Sequence, residues 1–157
     1  MKIDESEAAA RALQTLMDRS AASAGRSVAR SVAYPDRQMS AAELIEFWAQ
    51  TGLVAMCTVG ANGQPHVAPV HARLLGTRLT LVVYDDTVRR RDLQTNPRVA
   101  FTTWGPGGAA VILYGRAREL EGSLRPARDA QDGTPRNVVE IEVELTRVYA
   151  MAARAES

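Results

Sequence analysis

A single cysteine, Cys57, leaves this chain no means of closing an internal disulfide, and such a composition fits a reducing compartment. Charge of one sign is lacking too. Nineteen Lys and Arg stand against eighteen Asp and Glu, so no chain-wide basic field exists to gather nucleic acid. No apolar run approaches the roughly 20 residues of a membrane span, and the N-terminus has no secretory apolar core. There are two histidines, His66 and His71, on one predicted strand at an odd spacing that sends them to opposite faces. No cysteine or carboxylate completes a metal set around them. No repeat or low-complexity tract is evident. What these absences leave is a soluble, cytoplasmic domain, long enough to bury a core, whose function sits in a local site.

What is present begins with helix. Residues 4 to 30 are rich in Ala, Arg, Ser and Glu, and Leu13, Leu16 and Met17 form a thin apolar stripe at helical spacing. This reads as one helix or two short ones in an N-terminal extension, residues 1–38, with no chemistry of its own. The stretch "MSAAELIEFWAQTG" is a helix marked at both ends. Ser40 with Glu43 is a capping box, Gly52 a stop, and Leu44, Phe47 and Trp48 share the core face. Because that cap starts the main unit (residues 39–151) by itself, residues 1–30 are expected to be dispensable to it. Residues 152–157 form a tail.

Beyond Gly52 the period changes to two. "LVAMCTV", the hairpin turn at Asn62-Gly63, and "PHVAPVHARLL" read as a strand pair. "LTLVVY", "RVAFTTW" and "AAVILYGRAREL" follow as strands. A polar connection from Glu121 to Asn137 leads to a last strand, where Val139, Ile141, Val143 and Leu145 alternate with Glu140, Glu142 and Glu144. The expected fold is mainly β with flanking helices, six antiparallel strands curled into a barrel because closure removes exposed edges. Cys57 reads as a small buried hydrophobe, "GPGG" as a hairpin connection, and Trp104 as a cap on the barrel end.

One segment stands out. In "DDTVRRRDLQTNPRVAF" three consecutive arginines, Arg89, Arg90 and Arg91, follow Asp86 or Thr87 as helix cap, and Pro97 ends the helix begun at Val88. Cations are disfavoured at a helix start. The cluster is either a solvated face balanced by Asp85, Asp86 and Asp92, or it awaits an anion such as a phosphate.

The ordered set Gly63, Pro65, Pro69, Thr87, Arg89, Leu93, Asn96, Pro97 and Gly115 resembles the pyridoxamine 5′-phosphate oxidase-like family of flavin-binding split barrels, over about residues 40 to 121. The resemblance implies a six-stranded FMN-binding split barrel that forms a homodimer, with flavin mononucleotide (FMN) in grooves between the subunits and a small-molecule substrate. It implies that Arg89 grips the flavin phosphate with Thr87 as hydroxyl partner and Arg90 as a second cation. It further implies that Ala68, Pro69 and Val70 lie along the isoalloxazine ring and that Val82 and Val83 border the ribityl chain. Departures accompany it. Val88 stands where many members carry a second basic residue, Ala110 where the vitamin oxidases have a flavin-contacting Gln, and "VYAMAARAES" where those oxidases end in a Trp- and Arg-containing segment. Oxidation of pyridoxamine phosphate itself is therefore not expected. The leading reading is a flavin-dependent oxidoreductase whose catalytic side chain is unassigned. The alternatives are a deazaflavin reductase drawing on Arg73, Arg89, Arg90 and Arg91, a non-enzymatic flavin- or haem-binding module, and a barrel without ligand.

Overall fold

The computed structural model describes residues 5–128 and 132–156, so residues 129–131 of the polar connection and the extreme ends lie outside the described residues. Helix α1 (Glu5–Ala22) and the one-turn α2 (Arg26–Ala29) lead to α3 (Ala41–Gln50). Strands β1 (Val54–Val59), β2 (Pro65–Val70), β3 (Arg73–Leu75) and β4 (Arg78–Tyr84) follow, then α4 (Val88–Thr95). The chain closes with β5 (Arg98–Trp104), β6 (Ala110–Glu119), β7 (Arg125–Pro126) and β8 (Asn137–Met151). The capping box at Ser40 forms in full. Ser40 Oγ accepts the Glu43 N–H at 3.2 Å, and Glu43 Oε2 accepts the Ser40 N–H at 2.6 Å.

The strands hydrogen-bond in the order β2-β1-β5-β6-β8-β4-β3, every pair antiparallel, with β7 on β8. β2 and β3 are the two ends of that path, yet only His71 and Ala72 separate them in sequence. The chain can step from one edge to the other in two residues only if the sheet curls until its edges meet, which makes the split half-barrel. That step also divides the single strand expected from Pro65 to Leu75. Its first half pairs with β1 and its second with β4, and one ladder cannot serve two partners. The six expected strands are β1, β2 with β3, β4, β5, β6 and β8, and β7 is a two-residue addition.

β8 carries the fold. Val139, Ile141 and Val143 are fully buried and pair on one side with Val83, Leu81 and Leu79 of β4. On its other side a bulge falls between Tyr114 and Gly115 of β6. A Cβ at Gly115 would stand 2.5 Å from the Glu144 carbonyl oxygen, so the close approach there requires glycine.

α1 is not the appendage expected from its composition. Leu13, Leu16 and Met17 are buried in the same cluster as Leu44, Phe101 and Val148. Ser20 Oγ accepts the Val148 N–H at 3.1 Å, and Gln14 Oε1 accepts the Ala41 N–H at 2.7 Å at the start of α3. Burying Leu13 alone contributes about 1.5–3 kcal/mol.

Candidate functional site

α4 begins as its sequence dictates. Thr87 is the N-cap, its Oγ accepting the Arg90 N–H at 3.4 Å while donating to the Tyr84 carbonyl at 2.9 Å. The N–H groups of the first turn have no acceptor within the helix, and the dipole is positive there. The three arginines at this end meet different fates. Arg91 is exposed. Arg90 lies in a forked ion pair, its Nε and Nη2 donating to the two Glu119 carboxylate oxygens at 2.9 and 3.0 Å. Arg89 is half-buried, its Nε shut away from water with no hydrogen-bond partner among the described residues, and burial pushes its guanidinium below the ordinary arginine range.

Arg89 stands where two hollows meet. The first, about 690 Å³, runs between β2 and β4 and is lined by Pro69, Val70, Val82 and Val83. The second, about 540 Å³, lies at the start of α4 against Ala68 and Thr87. Seven of the eight residues expected at the cofactor therefore line one or the other of these two hollows, with Arg89 on both. Val82 faces outward and is half exposed, whereas the Val83 side chain lies in the core. Arg90 is the exception. Where the sequence pairs it with Arg89 on a phosphate, its guanidinium is turned to Glu119 29 residues away, because β6 ends against α4.

The sequence from residue 40 to residue 150 matches the family described as pyridoxamine 5′-phosphate oxidase. The chain belongs to this family. A conserved hypothetical protein of Mycobacterium tuberculosis shares its fold at 16% identity and a TM-score of 0.61, over 78% of this chain and 94% of that one. An FAD-binding protein of Mesorhizobium loti does so at 17% identity and 0.55, over 73% and 95%. HutZ, the haem storage protein of Vibrio cholerae, does so at 14% identity and 0.55, over 70% and 93%. No curated protein sequence matches the chain.

This member of the pyridoxamine 5′-phosphate oxidase family also carries a polar network that its sequence did not reveal. Asp92 is buried, and its Oδ2 accepts the Thr58 hydroxyl at 2.7 Å and stands 2.7 Å from His66 Nδ1. Burial pushes the Asp92 carboxyl up, but the bonds from Thr58 and His66 and the nearby charges of His66 and Arg91 outweigh it, leaving the group below its ordinary value. Read locally, Asp92 balances arginines and His66 sits on a strand face. Nothing in the spacing joins residues 26 apart. His71 meets the other hollow, its Nδ1 bonded to the Gly52 carbonyl at 2.7 Å. Arg136 lies 3.6 Å from the centre of the Tyr84 ring, and its Nη2 bonds Asp86 at 2.6 Å, holding that carboxyl below its usual range.

Beside Pro69 a third depression of about 610 Å³ is lined by Phe47, Leu53, Val67, Thr103 and Trp104 without a charged residue. Val67 and Trp104 are 69% and 72% exposed, a large apolar surface to leave to water. Among the described residues no group of three or more His, Cys, Asp and Glu is placed to hold a metal, and no helix is long and apolar enough to cross a membrane.

Proposed function

We propose that this protein binds FMN and acts as a flavin-dependent oxidoreductase on a small molecule other than pyridoxamine phosphate. The observation that carries the reading is Arg89, a half-buried cation with an unpartnered Nε at the start of α4, beside a groove lined by the backbone of β2 and β4. Such a group is costly to keep unless an anion meets it, so the residues present fit a flavin phosphate. Arg89 and the N–H groups of Val88 and Arg89 in the first turn of α4 hold the phosphate, while Thr87 caps the turn by accepting the Arg90 N–H. Ala68, Pro69 and Val70 lie against the ring system and Val82 and Val83 along the ribityl chain. When bound, the flavin supplies the hydride chemistry, and the protein supplies position and electrostatics. The exposed Val67, Leu53 and Trp104 supply the surface for a second copy of the chain, whose pairing closes the shallow groove.

A second reading keeps the site and changes the cofactor. Arg73 lies on the same hollow as Arg89, and two cations there suit the longer acidic tail of a deazaflavin.

The test is Arg89→Ala. Losing a charge-assisted contact worth about 1.5–3 kcal/mol weakens FMN roughly tenfold to hundredfold. Riboflavin, lacking the phosphate, binds both proteins alike, and Arg91→Ala serves as control. Equal FMN binding by all three proteins sinks the assignment, and the absorption spectrum of the purified protein separates flavin from deazaflavin.

A further inference from the structure

The hollow at the start of α4 is short of positive charge. Val88 is apolar, Arg90 is held by Glu119, and Arg136, which does not line the hollow, is held by Asp86, which leaves Arg89. A phosphate monoester carries a charge of about −1.5 to −2 near neutrality. One other side chain lining that hollow can carry a positive charge, and it is His66.

The His66 ring is fixed in place. Its Nδ1 edge is against Asp92, and its Cε1 is 3.2 Å from where a Cβ on Gly60 would stand. The Asp92 carboxyl is held below its ordinary value and so is ionised at neutrality. A carboxylate only accepts, so the hydrogen between the two groups belongs to Nδ1. The side chain is 39% exposed, and with those two edges covered the exposed edge is the one bearing Nε2.

We propose that His66, oriented by the buried Asp92 and Thr58, is the second phosphate ligand of this hollow alongside Arg89. As imidazolium its Nε2–H donates to a phosphate oxygen, and as neutral imidazole Nε2 presents only a lone pair. The Asp92 carboxylate faces the ring at Nδ1. Of the other charged groups on the hollow, Arg89 opposes that charge and Asp86 is engaged by Arg136. Arg91 acts on the far side through Asp92, and the β1–β2 turn adds only the uncharged Asn62 and Gln64. Phosphate affinity is therefore tied to the protonation of one histidine.

This rests on the FMN reading, and the experiment separates the two. FMN and riboflavin are titrated into wild type, His66→Gln, His66→Lys and Arg89→Ala at about pH 5.5 and about pH 8. Comparison between proteins at each pH removes the ionisation of the FMN phosphate itself. Wild type is expected to bind FMN about tenfold more tightly than His66→Gln at the lower pH and nearly equally at the higher. His66→Lys, whose charge persists, outbinds wild type at the higher pH, and riboflavin distinguishes none of them. Should His66→Gln lose its cooperative melt, the Lys variant against wild type still decides. A ratio that does not change with pH, or one that riboflavin shares, overturns the role of His66. If Arg89→Ala weakens FMN while both His66 variants behave as wild type, the FMN reading stands and this one falls. If wild type binds no FMN, both fall.

Discussion

Arg90 grips both oxygens of the Glu119 carboxylate, at 2.9 and 3.0 Å, and this fork joins the first turn of α4 to the end of β6. The same guanidinium donates to the Asp85 carbonyl at 3.2 Å, so the loop entering α4 is tied down as well. Its neighbour Arg89 stands on that anchored helix start without a partner for its Nε among the described residues.

Arg90→Ala should accordingly cost stability rather than cofactor. The pair is partly exposed, with side-chain exposures of 24% and 34%, and is screened by salt. A loss of about 0.5–1 kcal/mol is expected, shrinking at high ionic strength. Denaturant titration at two salt concentrations measures it, and FMN affinity should move far less than for Arg89→Ala.

Asp92 gives stability a pH dependence of known sign. Its carboxyl is depressed below the ordinary 3.8, so its contribution is present above that value and is lost as pH falls through the lower value of the folded state. Asp92→Asn removes the negative charge from the oxygen that Thr58 and His66 share and should cost about 1–3 kcal/mol at neutrality. Melting temperature against pH checks it: the variant lies below wild type at pH 7, and the curves converge on acidification.

Leu13→Ala tests whether α1 belongs to the core. Its side chain is fully buried among α3 and β8 residues, and a cavity there should cost about 2–5 kcal/mol. Removal of residues 1–30 takes Leu16, Met17 and the Ser20 contact with Val148 as well, and should abolish the sharp thermal transition. A truncated protein that melts as wild type does would make α1 an accessory.

Light scattering at micromolar concentration should return the mass of two chains. Trp104, at 72% exposed, and Val67 present the apolar surface proposed for that contact. Charge in the middle of such a face opposes association, so Val67→Glu should shift the mass toward one chain and weaken FMN with it.

Local rules by themselves determined much of this protein. Alternation placed β8 and its buried Val139, Ile141 and Val143, the Ser40–Glu43 box began α3, and Thr87 and Pro97 bounded α4. Each signal lies within a few residues of the structure it specifies, which is why it is legible without a fold. The order of short motifs also marked the stretch where Pro69, Val82 and Arg89 converge. Three things were decided only by tertiary contact. α1 looks solvated in sequence because its apolar stripe is narrow, yet β8 covers that stripe, through a Ser20–Val148 contact 128 residues long. The strand from Pro65 to Leu75 breaks at His71 because its halves lie on opposite edges of a curled sheet. The fates of Arg90 and His66 were set by Glu119 and Asp92, charges 29 and 26 residues from the groups they hold. Side chains of the same kind in one short run are equivalent to any local rule, and only the distant partner that the fold brings to one of them sets it apart from its neighbours.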